Sequence, residues 1–127
     1  MSKLICIIDD DLIYQFLINK IIGNSKAGHD VMFFKNGKEA LDYFALDLDK
    51  NLPEIILLDL EMPVMDGWDF LKEMSKLHID KTDIYIVSSS ISHEDKEKAK
   101  AFPKIKGHFS KPINSNKIQE ITKAPKE

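Results

Sequence analysis

The chain has one cysteine, Cys6, so no intrachain disulfide can form. Cys6 lies within Leu4-Ile5-Cys6-Ile7-Ile8, where a thiol reads as a small core residue rather than a reactive group. Long hydrophobic runs are missing as well. The N-terminal apolar stretch is five residues long and runs into Asp9-Asp10-Asp11. It is too short and too closely flanked by acids for a signal peptide or a membrane span, and a cytoplasmic location is expected. There is no excess of positive charge: 18 Lys plus Arg against 21 Asp plus Glu leave a formal charge of −3. That argues against direct DNA binding and gives no attraction to an anionic membrane surface. No repeat, low-complexity tract or interdomain linker stands out. What remains is one domain's worth of chain, 127 residues with 43 % apolar and 31 % charged, enough for a sizeable core.

Short apolar runs alternate with helical spacing along this length. Leu4–Ile8 reads as a buried strand. From Asp11 to Ile22 a helical stripe runs through Leu12, Ile13, Phe16, Leu17 and Ile21, and Gly23-Asn24 stops it. Val31–Phe34 is a second strand, closed by the turn signal Asn36-Gly37. Lys38 to Leu48 is helical through Ala40, Leu41, Phe44, Ala45 and Leu48. Ile55–Leu58 is a third strand ending at Asp59. Trp68 to Leu77 is helical, with Phe70, Leu71, Met74 and Leu77 on one face. Ile84–Val87 is a fourth strand ending at Ser88-Ser89-Ser90. Ser92 with Asp95 resembles a capping box, opening a charged helix to Ala101. Gly107–Phe109 is a short fifth strand, and Asn114 caps a last helix that Pro125 ends. Such alternation implies βαβ units, a mainly parallel sheet and helices on both faces, a three-layer doubly wound α/β domain.

In such folds the working site lies beyond the C-terminal ends of the strands. Those ends carry Asp9 and Asp10, Asp59, Ser88 and, after the fifth strand, Lys111. Each has an ordinary reading alone: Asp11, for one, reads as the cap of the first helix. Together they put three carboxylates, a hydroxyl and an ammonium on one edge. Carboxylates crowded in one pocket repel, which a hard divalent cation such as Mg²⁺ relieves. A carboxylate can also attack phosphorus to give an aspartyl phosphate, with the cation and Lys111 offsetting charge on the transferring group.

Four segments, Ile7-Ile8-Asp9-Asp10-Asp11, Leu57-Leu58-Asp59-Leu60-Glu61-Met62-Pro63-Val64-Met65-Asp66-Gly67, Val87-Ser88-Ser89 and Ser110-Lys111-Pro112, resemble the receiver domain of bacterial response regulators. The resemblance covers nearly the whole chain and implies a flavodoxin-like (βα)5 fold with strand order 2-1-3-4-5. It implies that Asp59 is the phosphoacceptor, and that Asp9, Asp10, Asp59 and the backbone carbonyl of Glu61 hold Mg²⁺. It makes Ser88 the switch hydroxyl, Ser89 a small residue leaving room for phosphate, and Lys111 the partner of the phosphoryl group. A cis Lys111–Pro112 bond is implied too, and Asp66-Gly67 as the turn into the third helix. The expected partners are a histidine kinase or histidine phosphotransfer protein and a downstream protein, the chain itself being a monomer or weak dimer. The resemblance also implies a chain that is not an enzyme, one that accepts a phosphoryl group onto its own Asp59 with scope to promote its own dephosphorylation.

Three positions depart from the family pattern. His108 stands where Tyr or Phe is usual, a ring that moves with the switch hydroxyl; His is polar and titrates near neutrality. Ser88 replaces the commoner Thr. Glu61 puts a negative side chain two residues past the acceptor. The roughly sixteen residues from Pro112 onward are needed for the last helix, so residues 1–127 read as a single receiver domain, stand-alone or cut from a longer protein. Two other readings are an interaction module of this fold that is never phosphorylated, and a flavodoxin-like redox protein. Asp9-Asp10-Asp11 would repel a flavin phosphate. A metal-dependent phosphatase would want its nucleophile at the end of the first strand. His29, His78 and His93 are scattered without zinc-site spacing.

Overall fold

The structure is a computed structural model and describes residues 3–23, 29–77, 79 and 81–123. Five strands alternate with five helices: β1 (Leu4–Ile8), α1 (Leu12–Gly23), β2 (Asp30–Phe34), α2 (Gly37–Leu46), β3 (Ile55–Leu58), α3 (Gly67–Ser75), β4 (Asp83–Ser88), α4 (His93–Ala99), β5 (Ile105–Ser110) and α5 (Ser115–Lys123). All pairings are parallel and the order is β2-β1-β3-β4-β5, the doubly wound arrangement expected. Asn24, His78 and Pro125, invoked in reading helix ends and histidine spacing, lie outside the described residues.

The three central strands are apolar on both sides because helices cover both sides. Ile5, Ile7, Ile55, Leu57, Tyr85 and Val87 face a core closed by Tyr14, Ile18 and Ile22 of α1 and Ile118 and Ile121 of α5. Cys6, Ile8, Ile56, Leu58 and Ile84 face Ala40 and Phe44 of α2 and Phe70, Leu71 and Met74 of α3. Cys6 is fully buried, and burial pushes its thiol well above the usual range, in keeping with a core residue.

The capping signals work as local chemistry dictates. Asn36 accepts from the N–H of Glu39, Asp66 from that of Asp69, and Asn114 from that of Lys117. Ser92 and Asp95 form a reciprocal capping box at α4, which has no buried residue. The last two residues expected in this helix, Lys100 and Ala101, fall beyond its end at Ala99. Likewise α2 stops at Leu46, before Leu48, because the N–H of Asp47 turns back to Phe44 O.

Helix α1 buries a different face from the one its apolar spacing predicts. Of the α1 residues read as its apolar stripe, Leu12, Ile13, Phe16 and Leu17 are 65, 74, 59 and 48 % exposed, while Tyr14, Ile18 and Ile22 are buried. The helix is apolar nearly all round, so spacing alone could not select the buried face. Strand β5 also runs longer than Gly107–Phe109. Its register against β4 shifts between Ile84 and Tyr85, pairing Ile84 with Ile105 but Tyr85 with Gly107. The extra residue, Lys106, inverts the facing pattern. Phe109 then packs on the α1/α5 side, stacked on Tyr85 at 5.8 Å, and His108 is left exposed.

Candidate functional site

Backbone bonds align the strand ends. The N–H of Asp9 donates to Phe34 O at 3.0 Å, that of Asp59 to Ile8 O at 3.0 Å, and that of Lys111 to Ser88 O at 2.9 Å. Asp9, Asp59, Ser88 and Lys111 therefore share one end of the sheet. The Lys111–Pro112 bond is cis.

The carboxylates converge there. Asp9, Asp10 and Asp59 each bring one oxygen within 4.8 Å of the others. Asp9 and Asp59 are buried and Asp10 is exposed. Asp9 Oδ1 accepts from the N–H of Asp11 at 2.9 Å, and its Oδ2 lies 2.6 Å from Lys111 Nζ. The same ammonium is 3.6 Å from Asp59 Oδ2. The Asp11 carboxylate turns the other way and caps α1, accepting from the N–H groups of Ile13 and Tyr14 at 3.0 and 3.1 Å.

The electrostatics follow from crowding. Burial first, and the Asp9 charge second, push the Asp59 carboxyl up to about 6, against the pull of Lys111 and of the Glu61 N–H that bonds to it. Burial also raises Asp9, although Lys111 and the Asp11 N–H oppose it. Burial works against the charged form of Lys111, but the bond to Asp9 and the charges of Asp9 and Asp59 win, and its ammonium is held above the ordinary range. Two buried carboxylates that resist ionising, with a third beside them, form a hard oxygen donor set that suits a divalent cation.

The other expected residues differ in burial. Ser88 is buried and its hydroxyl donates to Ser90 O at 3.2 Å. Ser89, Glu61 and His108 are exposed. The loop between β3 and α3 wraps against the acceptor strand: the Gly67 N–H donates to Leu60 O at 3.0 Å. A Cβ on Gly67 would stand 2.7 Å from the Asp59 carbonyl oxygen, so a close backbone approach is what demands glycine there.

Two residues at the site escaped the sequence reading. The Gln15 side-chain amide donates to Asp9 O at 2.6 Å and to Phe34 O at 3.4 Å, bracing the loop that carries the acids. Tyr14 lies under Lys111, whose Nζ is 4.7 Å from its ring centroid. A signal was available in that both follow the Asp11 cap within one helical turn, on the side opposite the exposed stripe. Among the described residues no helix is long and apolar enough to cross a membrane.

Comparison with known proteins agrees with this geometry. Residues 5–123 match the family described as the response regulator receiver domain. The chain is 29 % identical to the sporulation initiation phosphotransferase F of Bacillus subtilis over 97 % of its own length and 93 % of the relative's. It is 34 % identical to the chemotaxis protein CheY of Thermotoga maritima over 74 % of its length and 72 % of that protein's. Among solved structures, a two-component response regulator from Cytophaga hutchinsonii superposes with a TM-score of 0.84 at 26 % identity, covering 96 % of each chain. A receiver-family chain is a signalling module that accepts a phosphoryl group and works with histidine kinases or phosphotransfer proteins. On the match across nearly its whole length, this chain belongs to the response regulator receiver domain family.

Proposed function

We propose that this chain, acting as one receiver unit over residues 1–127, is a cytoplasmic phosphorelay switch charged at Asp59 by a histidine kinase or histidine phosphotransfer protein. The observation that carries the proposal is the convergence of Asp9, Asp10 and Asp59 with Lys111 braced against two of them. An Asp59 carboxylate oxygen attacks phosphorus in line. The new O–P bond forms as the P–N bond to the donor imidazole breaks, and that nitrogen leaves with the electron pair and takes a proton from water. Lys111 offsets the charge on the phosphoryl oxygens. Mg²⁺ fits the donor set of Asp9, Asp10, Asp59 and the Glu61 carbonyl, and when bound it supplies charge neutralisation at the acceptor.

Transfer replaces the single charge of the Asp59 carboxylate with a phosphoryl group that carries about −1.5 to −2. The Ser88 hydroxyl, now donating to Ser90 O, is the group that turns to a phosphoryl oxygen. In this reading His108, which pairs with Ile86 across β4 and β5, is the ring that follows it. The equilibrium between two conformations then shifts, and a protein partner rather than DNA reads the change. Leu12, Ile13, Phe16 and Leu17 form an exposed apolar surface on α1 beside Asp10. A donor that brings its phosphohistidine to Asp59 covers this surface.

Mass spectrometry after incubation with Mg²⁺ and acetyl phosphate tests the reading. The wild type is expected to gain one phosphoryl mass, Asp59→Asn none, and EDTA to abolish the gain. No gain in the wild type, or an equal gain in Asp59→Asn, would instead leave a binding module that is never phosphorylated.

A further inference from the structure

We infer that Tyr14 is a positioning residue for phosphoryl transfer, its ring face seating the Lys111 ammonium next to Asp59; the inference rests on the function proposed above. Lys111 Nζ lies 2.6 Å from Asp9 Oδ2 but 3.6 Å from Asp59 Oδ2. The tighter partner is thus the carboxylate that is not the acceptor. Left to charge alone, the ammonium would settle on Asp9. The ring of Tyr14, 4.7 Å from Nζ at its centroid, supplies a second attraction through its electron-rich face. Lys111 is held between that face and the two acids, with little of its side chain exposed.

The other end of Tyr14 shows which part of the side chain matters. Its hydroxyl is buried and has no hydrogen-bond partner, the one such side-chain atom among the described residues. Tyr14 is therefore not fixed by its polar group. It is fixed by ring contacts, with the core on one side and Lys111 on the other. Burial and the Asp9 and Asp59 charges raise the phenol well above its ordinary value, so it remains neutral and adds no further anion to the pocket. When Asp59 carries a phosphoryl group, new oxygens compete with Asp9 for Lys111. A seat on the ring keeps the ammonium within reach of both, and the exchange needs only a short swing of Nζ.

Three substitutions at position 14 separate the seat from simple core filling. Tyr14→Phe keeps the ring. Tyr14→Met and Tyr14→Leu fill the core without a π face, Met being the more adaptable filler if Leu fails to fold. In NMR spectra of the unphosphorylated chain, the Lys111 Hε protons are expected upfield from the ring current in wild type and Tyr14→Phe, and at ordinary shifts in Tyr14→Met. With Mg²⁺ and acetyl phosphate, Tyr14→Met is expected to lower the maximal phosphorylation rate about three- to tenfold. Tyr14→Phe is expected to regain most of that rate. In a Lys111→Met background the Tyr14→Met substitution should make no further difference, because the group it seats is gone.

A Tyr14 that only fills the core would slow both backgrounds by the same factor, and that result overturns the inference. So does a Tyr14→Met chain as fast as wild type, or an unshifted Lys111 signal. A wild type that is phosphorylated while any of these holds leaves the proposed function standing and removes only the role of Tyr14. A wild type that gains no phosphate at all sinks both.

Discussion

Val64 shows what a single residue is made to bear. It sits 78 % exposed in the loop after Asp59, at φ 70°, and the Met65 N–H donates across it to Pro63 O at 2.7 Å. That is a γ-turn centred on a β-branched residue in left-handed backbone, a strained combination. Val64→Gly removes the strain and gives up almost no buried contact. The expected outcome is a gain of about 0.5–1 kcal/mol in urea unfolding, the relief outweighing the added freedom of the unfolded chain. A loss of stability would mean that the exposed side chain packs in a way its exposure does not suggest. Residues at this scale differed in how far the sequence revealed them. Asp9, Asp10, Asp59, Ser88 and Lys111 could be found because each follows an apolar run, and strand ends share an edge. Tyr14 and Gln15 were harder to find, because their only signal is that they follow the Asp11 cap within one turn, and an apolar helix does not show by spacing which of its faces meets the pocket. Val64 was legible as part of a loop motif, but its backbone angle was not.

Among the elements, the connection from β3 to α3 matters most to the site. It leaves Asp59, turns through Asp66-Gly67, and returns so closely that α3 begins against the acceptor's own carbonyl. Gly67→Ala would put a Cβ 2.7 Å from Asp59 O and 2.9 Å from Leu60 Cα, both backbone atoms that cannot rotate aside. The expected cost is about 1–3 kcal/mol of stability from overpacking. Displacement of Asp59 should also slow labelling by acetyl phosphate about tenfold or more, since in-line attack tolerates little error. Unfolding curves and labelling rates read the two effects separately. An unchanged labelling rate would show that the acceptor is held by β3 alone. The strands and their order were legible because both faces of β1, β3 and β4 are apolar and the connections are helical. Two features were not. The buried face of α1 was hidden by a helix apolar nearly all round. The shift in β5 was hidden because Lys106, the extra residue, looks like any edge-strand lysine.

Across the whole molecule, charge ties the pocket to stability. The formal −3 of the chain equals in number Asp9, Asp10 and Asp59, without which acids and bases stand equal at 18 each. This deficit is concentrated at one end of the sheet, where Asp59 titrates at about 6 against an ordinary value of 3.8. Between those values the folded chain holds a proton that the unfolded chain has released, so stability falls as the pH rises through this window. Above about pH 6 the carboxylate is ionised in both states, and the folded state bears the full penalty of burial and of the Asp9 charge. A shift of this size corresponds to roughly 3 kcal/mol at most. Asp59→Asn keeps the shape and removes the charge. The metal-free variant is therefore expected to be more stable than wild type by about 1–3 kcal/mol at pH 7.5, the advantage shrinking as the pH is lowered from about 6 toward 4. Mg²⁺ should narrow the same gap from the other side, by stabilising the wild type in proportion to its binding and the Asn variant far less. Urea titrations at several pH values, with and without Mg²⁺, measure this directly. An advantage that persisted unchanged at pH 4 would assign the effect to packing of the amide, and the acidic pocket would then carry no electrostatic strain for a cation or a phosphoryl group to exploit.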